Sequence, residues 1–122
     1  MLENKIGWKF DNTYSKLSKS MVSKLSPIFV KDPEIVLFNN LLSKELNLDF
    51  SKTTNKELAS IFSGNQLPLG SETIAQAYAG HQFGHFTILG DGRALVMGEH
   101  VTHDKKRFDL QFKGSGKTPY SR

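Results

Sequence analysis

The residues best suited to chemistry lie between Gly90 and Lys113. Gly90-Asp91-Gly92-Arg93 sets two glycines around one residue, with an arginine beside them. A glycine carries no Cβ, so its backbone N–H can approach an anion closely, and a neighbouring arginine can pair with phosphate oxygens. Further on, Lys113 ends the alternating run Phe108-Asp109-Leu110-Gln111-Phe112 and offers a compact ammonium charge. With the turn and the lysine at one end of a small sheet, the two would form a cradle for a phosphate chain.

Other constellations are weaker. Gly114-Ser115-Gly116-Lys117-Thr118 suggests a phosphate loop, but that motif needs glycine where this chain has Gln111, and Pro119 blocks the helix that must follow. His81, His85, His100 and His103 fall close together, so a zinc site is conceivable. Gly84 would break a helix carrying the first pair, however, and packing or hydrogen bonding by the imidazoles is favoured. No Ser-His-Asp or paired-carboxylate set can be argued from spacing. No catalytic residue and no metal ligand is therefore assigned within the chain. The glycine turn by itself is also unspecific, since most such turns only join strands, and Arg93 could equally stand in solvent.

The elements that would hold these residues follow from local pattern. Asp91-Gly92 separates the apolar runs Thr87-Ile88-Leu89 and Ala94-Leu95-Val96-Met97, which predicts a tight β-hairpin. Residues 108–113 alternate as a half-buried strand does. A glycine-rich turn between two strands, with a lysine on the next, is also the layout of protein kinases. Upstream, Asp32-Pro33-Glu34 gives a cap, a first-turn proline and an acid for a helix carrying Ile35, Phe38, Leu41, Leu42 and Leu46. Thr54 and Glu57 form a capping box before Leu58, Ile61 and Phe62, and Gly64 ends that helix. Alanine-rich residues 72–78 predict a third helix, and Ser26 to Val30 an extended edge piece. The expectation is an α+β fold, a small antiparallel sheet with flanking helices. Residues 1–80 would be mainly helical, and residues 81–122 a β-hairpin plus a third strand.

Composition bounds the function. At 122 residues the chain is at most one domain, with a hydrophobic share of 38% and a mean hydropathy of −0.38. No apolar run approaches the ~20 residues of a membrane span, and the N-terminus lacks the apolar core of a secretory signal. The absence of cysteine excludes disulfides and thiolate metal sites, and the compartment is read as cytoplasmic. Net charge is +4, with nine basic against seven acidic residues through Glu57 and seven against five after it. No basic arm for nucleic acid results. Beyond Asp109 come Lys113, Lys117 and Arg122 with no acid, an excess that suits a small anion better than nucleic acid, although from charge alone ordinary solvated lysines are the favoured reading. The loop-like ending, Lys113 to Arg122, reads as the front end of a larger protein.

Four strings then carry a resemblance: Asn12-Thr13-Tyr14, Tyr78-Ala79-Gly80-His81-Gln82-Phe83-Gly84, Leu89-Gly90-Asp91-Gly92-Arg93-Ala94 and the run from Asp109 through Lys113 to Arg122. Together they resemble the N-terminal part of the selenoprotein O family of protein adenylyltransferases, over most of the chain from Phe10 onward. The resemblance implies part of a protein-kinase-like N-lobe in an enzyme that transfers AMP from ATP to Ser, Thr or Tyr hydroxyls of target proteins, with Mg²⁺. By motif match it implies that Gly90, Gly92 and Arg93 contact the nucleotide and that Lys113 holds phosphates. Its partners would be ATP and protein substrates, with neither nucleic acid nor membrane. It also implies that the catalytic aspartate, the metal-binding Asn and Asp, further phosphate-binding arginines and a redox-active C-terminal cysteine or selenocysteine lie beyond Arg122. Residues 1–122 alone are then not expected to catalyse.

Overall fold

The computed structural model describes residues 6–18, 21–82, 85–90 and 94–119, with side chains for all of these except 78–90. A 3-10 turn, Tyr14–Lys16, precedes strand β1 (Val22–Lys24), helices α1 (Asn40–Glu45) and α2 (Asn55–Ser63), and strands β2 (Ile74–Gln82), β3 (His85–Gly90), β4 (Ala94–Val101) and β5 (Arg107–Lys113). β1, β2, β4 and β5 lie side by side in that order, all antiparallel, and β3 pairs with β2. The fold is α+β. Among the described residues no helix is long and apolar enough to cross a membrane.

Local signals with no competitor form as the sequence predicts. The Thr54 side chain accepts from the Glu57 N–H, the Glu57 carboxylate reaches back to Thr54, and Gly64 closes α2 at φ +90°. The alternating run becomes β5, with Phe112 buried and Lys113 exposed. Residues 26–30 form no strand, yet Ile28 donates its N–H to the Ser115 carbonyl, and the Asn65 amide brackets both backbone groups of Val30.

Three expectations are corrected. The helix predicted from Asp32 starts instead at Asn40, because Asn39 caps it by accepting from the Leu42 N–H, while Asp32 sits at φ +49° and cannot open a helix. The predicted third helix at 72–78 belongs to β2. Ala75 and Ala77 are almost wholly buried there, so sheet packing overrides the helix preference of alanine. The run 86–89 does not find its partner in 94–97; β3 is registered on β2, from Ala77↔Gly90 to Gln82↔His85. Residues 1–80 are consequently not mainly helical, since they contain β1 and most of β2 beside two short helices. The Asp91-Gly92 turn itself lies outside the described residues.

The sheet has two distinct faces. One carries Ala75, Leu95, Met97 and Phe112, covered by Trp8, Leu46, Leu48 and Ile61. His100 is buried beneath Trp8 and Phe10; its Nδ1 accepts from the Lys9 N–H and its Nε2 meets the Leu46 carbonyl at 2.6 Å. On the other face Val22, Ile74 and Val96 pack with Tyr14. Because β5 alternates, Arg107, Asp109, Gln111 and Lys113 fall on this second face.

Candidate functional site

Register decides what comes together at one end of the sheet. Val96 is opposite Ile74 on β2, and Ala94 is opposite Lys113 on β5. Along the direction of β2, Lys113 therefore lies two residues past that rung (Val96 to Ala94), and Gly90, opposite Ala77, lies three past it (Ile74 to Ala77). The two positions are level to within about one residue, or about 3.3 Å of strand rise. Ala77 donates its N–H to the Met21 carbonyl at 2.8 Å and accepts from the Tyr14 hydroxyl at 3.3 Å, both on the β1 side. In an antiparallel strand the N–H and C=O of one residue point to the same side. β3 thus occupies the opposite edge of β2, the one that β4 takes up at Ile74. Between these rungs β2 advances three residues while the facing chain covers six, from Val96 back to Gly90.

Two of the four residues expected to contact nucleotide, Gly90 and Lys113, are thus brought to the same end of the sheet. Gly92 and Arg93 lie outside the described residues. Lys113 is exposed and, among the described residues, makes no ion pair. Gly114 follows it at φ +81° with open space where a Cβ would stand. A cation at a strand end, next to a backbone that turns away without a side chain, leaves room for an anion to approach.

The far end of the same face is closed by a different polar cluster. Glu99 on β4 is 6% exposed and accepts from the Thr13 N–H at 2.6 Å, the Thr13 hydroxyl at 2.7 Å and the Tyr14 N–H at 2.8 Å. Its own N–H donates to Asn12 at 2.9 Å. Arg107 reaches Glu99 at 3.3 Å and Asp11 at 2.7 Å. Burial pushes the Glu99 carboxyl up, but the Tyr14 and Thr13 hydrogen bonds and the Arg107 charge outweigh it and hold it below its ordinary value. The Arg107 hydrogen bond and charge likewise depress Asp11. This knot ties the Asn12-Thr13-Tyr14 segment to the sheet. Sequence reasoning did not find it; an acid inside the apolar run Leu95–Val101 was the available signal, since a carboxylate there must be paired.

No three His, Asp or Glu side chains converge on a metal position among the described residues. Of the histidines considered for zinc, His100 has both ring nitrogens engaged with backbone, and the side chains of His81 and His85 are outside those described.

Comparison with known proteins shows the family. A family model described as protein adenylyltransferase SelO matches residues 5–122. The chain belongs to the SelO family. A protein from Nitrosococcus oceani named protein nucleotidyltransferase YdiU is 59% identical over 122 residues, covering 100% of this chain and 25% of its own length. Proteins of the same name from Pelagibacter ubique and Brevibacillus brevis are 59% and 52% identical, covering 96% and 95% of this chain and 24% of their own lengths. This SelO-family chain therefore spans about a quarter of the length of the relatives it matches. The matched residues 5–122 include Gly90, Glu99 and Lys113.

Proposed function

We propose that this chain is the N-terminal, ATP-binding part of a protein nucleotidyltransferase, built like part of a protein-kinase N-lobe, that transfers AMP to Ser, Thr or Tyr hydroxyls of other proteins. The observation that carries this reading is the SelO-family match through residues 5–122, in which Gly90 and Lys113 stand level at one end of the sheet. The chemistry agrees. A target hydroxyl attacks the α-phosphorus, the bond from that phosphorus to the bridging oxygen of the β-phosphate breaks, the hydroxyl proton is lost, and pyrophosphate leaves. Charge then grows on the departing phosphates, and a fixed cation aimed at them lowers the barrier. Lys113 would supply that charge, with the glycine turn and Arg93 closing around the same phosphates. Mg²⁺ would accompany ATP as substrate. Its protein ligands would lie in the remainder of the full-length protein. Residues 1–122 alone would bind rather than catalyse.

The experiment uses a full-length protein in which residues 1–122 replace the matching quarter of the Nitrosococcus oceani relative. ATP labelled separately on the α- and γ-phosphates is supplied with candidate protein targets. The α-label is expected on protein. A γ-label on protein would make the enzyme a phosphotransferase, and no label with no nucleotide binding would make this part a noncatalytic module.

A further inference from the structure

The turn that follows β5 holds a polar group with no role in the fold. Among the described residues, two buried side-chain oxygens lack a hydrogen-bond partner, the hydroxyls of Ser15 and Ser115. Ser115 stands two residues past Lys113, a span of at most about 7 Å. Its backbone is pinned. The Ser115 carbonyl accepts the Ile28 N–H at 2.8 Å, and a Cβ on Gly116 would stand 2.7 Å from Ile28 Cγ1. The segment carrying Ile28 is itself held two residues on, where the Asn65 amide accepts from the Val30 N–H at 2.8 Å and donates to its carbonyl at 2.7 Å. On the other side of the serine, Gly114 sits at φ +81° with nothing within 4 Å of its Cβ position. A hydroxyl with unused hydrogen-bonding capacity is thus fixed beside an opening and next to a cation that makes no ion pair among the described residues.

We propose that the Ser115 hydroxyl is a second contact to the phosphate chain held by Lys113, donating its O–H to a phosphate oxygen. This rests on the nucleotide reading above and adds a binding residue to it. A buried hydroxyl without a partner is a desolvation loss, and a ligand that brings an acceptor restores the missing hydrogen bond. A phosphate oxygen is the acceptor that fits, because the neighbouring ammonium favours an anion and a hydrogen bond to a charged oxygen is the stronger kind. Ser115 as a residue is only half-buried, so one rotation about its Cα–Cβ bond turns the hydroxyl from protein to ligand while the backbone stays pinned. Ser15 has no such outlet, since the whole residue is 4% exposed.

The test titrates ATP into the full-length chimera, in which residues 1–122 replace the matching quarter of the Nitrosococcus oceani relative, and into its Ser115→Ala and Ser115→Cys variants, with thermal unfolding of each in the absence of ligand. Ser115→Ala is expected to weaken ATP about tenfold and to leave the melting temperature unchanged, since the group removed had no partner. Ser115→Cys keeps the side-chain shape but exchanges a strong donor for a weak one, and should lose affinity as well. Inorganic tripolyphosphate should compete with ATP less well in both variants than in the unmodified chimera. Full ATP affinity in either variant would overturn the proposal and leave the nucleotide reading standing, whatever the melting temperature does. Tripolyphosphate competition equal in all three proteins would take the contact off the phosphates and overturn it too. No ATP binding by the unmodified chimera would remove the nucleotide reading and this proposal together.

Discussion

Arg107 and Lys113 are cations on the same strand and the same face of the sheet, one at each end of β5, yet their surroundings are opposite. Arg107 is held by Asp11 at 2.7 Å and by Glu99 at 3.3 Å, within a cluster that also binds the backbone N–H groups of Thr13 and Tyr14 and the Asn12 side chain. Lys113 pairs with no carboxylate among the described residues and stands beside a glycine with open space around it. A cation held by two carboxylates and a backbone carbonyl is committed to the fold. One that is charged, exposed and unpaired next to a bare backbone is available to a ligand. Charge sign, strand and sheet face are the same in both; what differs is whether neighbouring carboxylates hold the cation.

That contrast can be broken at the saturated end first. Glu99→Ala orphans two backbone N–H groups and a hydroxyl and should cost about 3 kcal/mol of stability, read by chemical denaturation. Gly98→Ala should cost about 2 kcal/mol, because a Cβ there would stand 2.5 Å from the Phe10 ring and 2.9 Å from the Asn12 oxygen, both in tight packing. Gly114→Ala, at the open end, meets no atom within 4 Å and should cost only the strain of a positive φ, about 1 kcal/mol. If Gly114→Ala proved more destabilising than Gly98→Ala, the ends would have been assigned the wrong way round. Acid sharpens the same comparison. Glu99 and Asp11 are both depressed from ordinary values of 4.5 and 3.8, so their stabilisation is complete above those values and disappears as pH falls through the lower folded ones. Thermal unfolding should be flat from neutrality to about pH 5 and decline below that. Glu99→Gln should flatten part of the decline, whereas Lys113→Ala should leave its shape unchanged.

The sequence made some of this legible and hid the rest for physical reasons. The Thr54–Glu57 box and the alternation of 107–113 are local, and each formed where its residues pointed. Asp32 read as the cap, yet the helix opens after Asn39, beside Phe38, which packs against Phe50 and Phe62 in contacts made across the chain. β2 was hidden because alanine favours helix by itself and became strand only once Ala75 and Ala77 were buried. The pairing of β3 with β2 depends on that same hidden strand, so one misread element displaced the hairpin as well. At the candidate site, Lys113 was legible as the end of an alternating strand. Glu99 was not, because its partners are backbone groups more than eighty residues away in sequence.

The most direct measurement is nucleotide titration of the full-length chimera and of its Lys113→Ala and Arg107→Ala variants, followed by calorimetry with ATP. Lys113→Ala should weaken binding by about tenfold or more, the loss of a charge-assisted contact to phosphate, and Arg107→Ala should leave affinity unchanged. Equal affinity for the unmodified chimera and Lys113→Ala would contradict the assignment of the unpaired cation to the ligand.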